Sequence, residues 1–154
     1  MTKDVLLALK GLQFDGTDQE DYTTILPAEY YLRNGKHYVV YDEVMEGFSG
    51  STKNIIKFTD SEMDVSKKGV VNVHLFFEEN RKNLASYGTP FGEIMVGINA
   101  TKIELNESDD LIKVSVDYDL ELNYQHLADC KISLDIRPLN KSEALFEKNS
   151  EPEK

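Results

Sequence analysis

The sequence predicts an all-β fold, a single closed or nearly closed antiparallel barrel of eight to ten strands, and three observations carry that prediction. Runs rich in Val, Ile, Tyr, Phe and Thr recur every 8 to 15 residues between turn signals, as in sandwiches and barrels. No helical 3.6-residue period appears before Ser142, where a short helix or a frayed polar tail is expected over 141–154. The third observation is a phase change inside one strand. In YGTPFGEIMVGINATKIEL, residues 87–105, Ile94, Val96, Ile98 and Ala100 hold even positions while Ile103 and Leu105 hold odd ones. A one-residue slip would turn every later side chain to the opposite face. One extra residue within 99–102, a β-bulge, keeps the apolar face continuous and bends the strand. Long strands need such bends to curl a sheet into a barrel.

A chain of 154 residues suits one core, so the barrel domain is assigned to 1–140 and the polar tail to 141–154. Candidate strands lie near residues 3–13, 20–33, 36–46, 52–58, 62–67, 70–77, 82–88, 91–105, 111–124 and 127–137. Arg33-Asn34-Gly35-Lys36 contains the strongest two-residue hairpin signal, Asn-Gly, because both residues tolerate positive φ. That loop sets Leu32 opposite His37, Tyr31 opposite Tyr38 and Tyr30 opposite Val39. Ala28, Tyr30, Leu32 and Val39 form the more apolar set and are expected inside, with His37 near the rim. Farther along, Ile112, Val114, Val116, Tyr118, Leu120, Leu122 and Tyr124 alternate with charged and polar residues, giving one dry and one wet face. A three-residue loop at 125–127 would pair Leu122 with Cys130, Tyr118 with Leu134 and Val116 with Ile136. It would also place Glu121 opposite Lys131 and, unfavourably, Asp117 opposite Asp135.

Charge narrows the partners. With 28 acidic and 17 basic residues the net charge is −11, which repels nucleic acid and anionic membrane surfaces alike. The lone Cys130 allows no internal disulfide, and the N-terminal apolar run is too short and interrupted for a signal peptide, so a cytoplasmic location is expected. No Ser-His-Asp order, G-x-S-x-G, phosphate loop or cysteine pair occurs. The protein is therefore expected to be no enzyme, with no catalytic residues and no cofactor. His37, His74 and His126 fall on a rim, an outward beat and a hairpin loop, so no shared metal site is expected. Asp117, Asp119 and Glu121 read as a solvated exterior.

GVVNVHLFFEENRKNLASYGTPFGEIMV, with Gly69, Val71, Phe77, Ala85, Tyr87, Phe91 and Gly92, resembles the YwiB-like family of uncharacterised Firmicutes proteins, as do the two long strands that follow. The Tyr87–Gly92 run is the most distinctive element. The resemblance implies a calycin-like (lipocalin-like) β-barrel and carries over no catalytic residue. A barrel of this size is either packed solid or holds one small ligand. Tyr30, His37, Tyr41, Tyr118 and Tyr124 are the expected polar groups of such a lining, suited to a small amphipathic or aromatic ligand. Tyr31, Tyr38 and Val40 on the outer face are the expected contact of the alternative, a scaffold or homodimer module with a filled barrel.

Overall fold

A computed structural model describes residues 1–11, 23–44, 47 and 49–139. The expected tail over 141–154, with its Ser142 helix, lies outside the described residues, as do parts of the first three candidate strands. Ten strands follow one another: β1 Asp4–Lys10, β2 Thr23–Arg33, β3 Lys36–Val44, β4 Ser51–Phe58, β5 Glu62–Lys68, β6 Val73–Glu78, β7 Arg81–Thr89, β8 Gly92–Glu107, β9 Ile112–Leu122 and β10 Gln125–Pro138. Each pairs antiparallel with the next, and β1 closes on β10, with Leu7 opposite Ile136 and Leu9 opposite Leu134. The sheet therefore leaves no terminal edge strand, the expected solution to the edge problem. Among the described residues no helix is long and apolar enough to cross a membrane.

The β2–β3 turn is as expected. Asn34 and Gly35 take φ of 51° and 76°, and Tyr30, Tyr31 and Leu32 face Val39, Tyr38 and His37. Ala28, Tyr30, Val39 and Tyr41 point inward and are buried. Leu32 departs from the expectation: it lies one pair from the hairpin tip, beyond the packed lumen, and is 60% exposed. His37, its partner across the hairpin, is buried at that end of the barrel, in keeping with an inward position near the rim.

In β8 the register shifts between Ala100 and Lys102, so Thr101 is the extra residue and Ile98, Ala100 and Ile103 all stay inside. The phase change at residues 87–105 is that bulge. The alternation alone predicts Leu105 opposite Ile112 and Ile98 opposite Tyr118; the structure shifts both by two residues, to Val114 and Leu120. Pairing with β7 ends at Arg81–Ala100. Past that point the Glu79 carboxylate accepts from the Ile103 N–H at 3.0 Å.

The β9–β10 register is corrected. The loop has two residues, Asn123 and Tyr124, both at positive φ (50° and 68°), and a second bulge at Leu127 restores the faces that an even loop alone would have mixed. A bulky residue at positive φ is rare, so Tyr124 gives no turn signal. The result is electrostatically better than the expected pairing: Lys131 faces Asp117 and Asp135 faces Lys113, leaving only Asp119 opposite Asp129 as a like pair. Leu122 meets Gln125, Tyr118 meets Cys130 and Val116 meets Ile132.

Inward residues from all around the barrel fill its lumen. Leu7, Ile56, Phe58, Met63, Leu75, Phe77, Ile98, Ile132, Leu134 and Ile136 are each under 2% exposed. One seam interrupts the ladder: β6 and β7 pair only at Glu78–Arg81 and, past the strand end, Asn72–Gly88. There Asn83 Nδ2 donates to the Phe76 carbonyl at 2.9 Å.

Candidate functional site

Two polar constellations interrupt the apolar wall, one toward each end of the barrel. The first begins with the tight turn that puts His37 at the start of β3. Its ring stacks on Phe58, with centroids 4.9 Å apart and planes at 12°. Nδ1 lies 2.6 Å from the Tyr30 hydroxyl and Nε2 lies 3.2 Å from Glu107 Oε1. Since an ionised carboxylate only accepts, the neutral ring donates from Nε2 to Glu107 and accepts the Tyr30 O–H at Nδ1. β3 and β8 stand five strands apart in either direction around the barrel, so this bond spans the mouth.

Burial lowers the His37 pKa below 6.5, against the opposing pull of Glu107, and burial with Glu107 raises that of Tyr30. Between the folded and unfolded values the unfolded chain binds a proton that the folded chain does not. Stability therefore rises with pH across that window and falls on acidification from about pH 6.5. Urea midpoints taken at stepped pH should fall from that point, and His37→Gln should flatten this part of the curve. Parallel curves for the two proteins would argue against a neutral buried ring.

Beside this mouth is a groove of about 450 Å³, lined by Tyr30, Leu32 and Ile112, with Lys3, Arg33 and Glu107 among its charged walls. A separate crevice of about 90 Å³ runs past Phe58 and Phe76.

The second constellation lies toward the opposite end, on β3, β4 and β5. Asn54 faces Tyr41 on one side and Lys67 on the other. Lys67, 4% exposed, donates from Nζ to Asn54 Oδ1 at 2.7 Å and to Glu43 Oε1 at 3.2 Å. Asn54 Nδ2 donates to the Thr52 carbonyl at 3.2 Å. Thr52 Oγ1 accepts the Val70 N–H at 3.1 Å. Gly69 makes that approach feasible: its φ is +150°, and a Cβ there would stand 2.2 Å from the Ser51 carbonyl oxygen. Burial lowers the Lys67 pKa, while Glu43 opposes the shift. Among the described residues the buried Tyr41 hydroxyl has no hydrogen-bond partner, and burial, then Glu43, raises its pKa far up.

The residues expected to line one interior site are thus dispersed. Tyr30 and His37 meet at one mouth, and Tyr41 joins the other constellation. Tyr118 lies mid-wall, edge-on to Phe77 at 5.0 Å, its hydroxyl bonded to Cys130 and, with burial the larger cause, raised in pKa. Tyr124 is 69% exposed at its hairpin tip, because the two-residue loop carries it past the lumen. On the outer wall, Val40 is half-buried. Lys3 and Arg33 stand over the Tyr31 ring at 5.7 and 5.6 Å, and Lys57 over Tyr38 at 5.9 Å.

Lys67, Asn54, Thr52 and Glu107 escaped sequence reasoning. Three of them had a signal: Lys67 continues the inward beat of Met63 and Val65, and Asn54 and Thr52 that of Ile56 and Phe58. The corrected β9–β10 register also gathers Asp119, His126 and Asp129, whose ligand atoms lie within 4.8 Å of one another. His126 and Asp129 are exposed, so the trio is a solvated surface group. His74 pairs separately with Asp64 at 2.7 Å.

Comparison with known proteins gives a consistent picture. The chain is 25% identical over 131 residues to the "Uncharacterized beta-barrel protein YwiB" of Bacillus subtilis (strain 168), covering 84% of this chain and 91% of that protein. The crystal structure of the ywiB protein from Bacillus subtilis superposes with a TM-score of 0.73 at 21% identity, over 90% of this chain and 93% of that one. The model of the family described as "Domain of unknown function (DUF1934)" matches residues 7–134. With more than half of its length matched, the chain belongs to the DUF1934 family.

Proposed function

We propose that this protein is a non-catalytic cytoplasmic carrier or sensor of a small amphipathic or aromatic molecule, held at the His37 mouth rather than deep in the barrel. The observation that carries the reading is the groove of about 450 Å³ beside a lumen whose side chains are packed to exclusion of solvent. Its volume falls in the range of small-molecule clefts, about 300–1,000 Å³. Leu32 and Ile112 offer apolar surface, and Arg33 and Glu107 supply charge of both signs. The non-catalytic part of the reading is supported by His37, whose two ring nitrogens are both engaged and whose face lies against Phe58.

Anilinonaphthalene sulfonate, an aromatic amphiphile, provides a direct test by fluorescence. Saturable one-site binding is expected, weakened about tenfold by Leu32→Glu, equivalent to ~1.4 kcal/mol. Because Leu32 is already exposed, the melting temperature should stay put. Equal affinity in the variant, or no saturable binding, would overturn the reading. Hydrolase turnover lost in His37→Gln would overturn its non-catalytic part.

The filled lumen also favours a second reading, a scaffold meeting a second copy through Tyr31, Tyr38 and Val40. Against it, the cations over Tyr31 and Tyr38 would have to be displaced or desolvated. A dimer in gel filtration that Tyr38→Glu dissociates would decide for the scaffold.

A further inference from the structure

The Lys67 constellation is the least apolar part of an otherwise dry wall, and its hydrogen bonds do not close. The Lys67 ammonium has three N–H donors, of which Asn54 and Glu43 take two. Tyr41, 5% exposed, has a hydroxyl with no hydrogen-bond partner among the described residues. Buried polar groups are almost always satisfied, and an orphan calls for a missing partner. Register puts the two donors in one row: Tyr41 faces Asn54 across β3 and β4, and Asn54 faces Lys67 across β4 and β5. Glu43 follows Tyr41 on the same face of β3, and its charge bears on the Tyr41 hydroxyl. Its side chain is 27% exposed, so the row reaches solvent at Glu43.

We propose that the Tyr41–Asn54–Lys67 row, with Glu43, is a second binding site, for a small uncharged compound carrying a carbonyl beside an N–H donor, such as a lactam or primary amide. The carbonyl oxygen accepts from the Tyr41 hydroxyl and the third Lys67 N–H. The ligand N–H donates to the Glu43 carboxylate. A charged head is disfavoured because Lys67 and Glu43 already balance each other, and any further charge would be buried uncompensated. Entry is from the Glu43 side, since Tyr41 and Lys67 are 5% and 4% exposed and Glu43 is the open end of the row. This site is independent of the His37 mouth.

The test is titration of the full-length ¹⁵N-labelled protein with 2-pyrrolidinone, followed by amide shifts. Saturable shifts are expected around residues 41, 43, 54 and 67, with those of Leu32 and Arg33 unmoved. Cyclopentanone, which lacks the N–H, should bind at least tenfold more weakly, and Tyr41→Phe should weaken the lactam by a similar factor. Tyr41→Phe keeps the ring and removes only the orphan hydroxyl, so it is expected to fold; its thermal midpoint should match or exceed that of the wild type. Three results would each overturn the proposal: no saturable shift with the lactam, equal lactam affinity in Tyr41→Phe, or a lower midpoint for Tyr41→Phe. The last would mean that a trapped water already satisfies the hydroxyl and that no ligand partner is missing.

Discussion

Lys67→Ala is expected to lower the unfolding free energy by about 3 kcal/mol, one of the largest losses for any polar residue in this barrel. Two effects add. Asn54, fully buried, loses the 2.7 Å donor to its Oδ1 and keeps an acceptor it cannot satisfy from solvent. The four-carbon stem of Lys67, packed on the inward beat of β5, leaves a gap that the rigid neighbouring strands close only in part. Glu43 adds little, because its partial exposure lets water replace the ammonium. Lys67→Met keeps the stem and should cost roughly half as much. Combining Lys67→Met with Asn54→Leu and Glu43→Leu should recover most of the loss, as hydrophobic replacements of buried charge clusters often do. Urea unfolding of the four proteins orders them. A triple variant less stable than Lys67→Ala would mean that the polar row contributes more to stability than an apolar one can.

The barrel was legible because its information is local. Alternation along each strand and the Asn34-Gly35 turn assign faces without knowledge of any distant partner. The phase change at residues 87–105 even confined the bulge to 99–102, where Thr101 proves to be the extra residue. Register was harder. Shifting a pairing by an even number of residues preserves every face, so alternation cannot distinguish Tyr118 opposite Cys130 from Tyr118 opposite Leu134. The turn that would have decided it, Asn123-Tyr124, hides its positive φ behind a tyrosine, and the bulge at Leu127 sits in a short segment with little alternation to break. Charge held a smaller clue: the true register exchanges the expected Asp117–Asp135 opposition for Asp119–Asp129 and has two attractive pairs, Lys131–Asp117 and Asp135–Lys113, where the expected one had Glu121–Lys131 alone.

The candidate sites were less legible than the fold because they are made by strands far apart in sequence. Tyr30 and His37 were within reach, seven residues apart across one hairpin. Glu107 was not, since its meeting with His37 depends on how the closed sheet brings β8 across from β3. Counting interior tyrosines as one lining also ignored position along the strand. Two tyrosines on the same inward beat can be diagonal neighbours and still join different groups: the Tyr30 hydroxyl meets His37 toward the hairpin tip, while Tyr41, two residues farther from the tip than Val39, lies beside Asn54.

Phe58→Ala should cost about 3–5 kcal/mol, the range for emptying an aromatic core position, and should change the His37 mouth as well. Phe58 is 1% exposed and lies flat against the imidazole at 4.9 Å. Without it, water reaches the ring and the dominant cause of its lowered pKa, burial, is relieved, while Glu107 still favours the protonated form. The His37 pKa should therefore move upward, and the acid loss of stability should shrink, since the folded and unfolded values approach each other. Phe77→Ala is the control. Phe77 is equally buried but packs edge-on against Tyr118 and stands three strands from His37 in the row His37, Phe58, Met63, Phe77, so it should cost a similar amount and leave the imidazole titration where it is. Urea unfolding gives the stability losses, and the histidine ring protons followed by NMR against pH give the titrations. If both variants moved His37 alike, a general loosening of the barrel would account for the shift. If only Phe58→Ala moved it, the stacked ring is what keeps this histidine neutral and its two hydrogen bonds in place across the mouth.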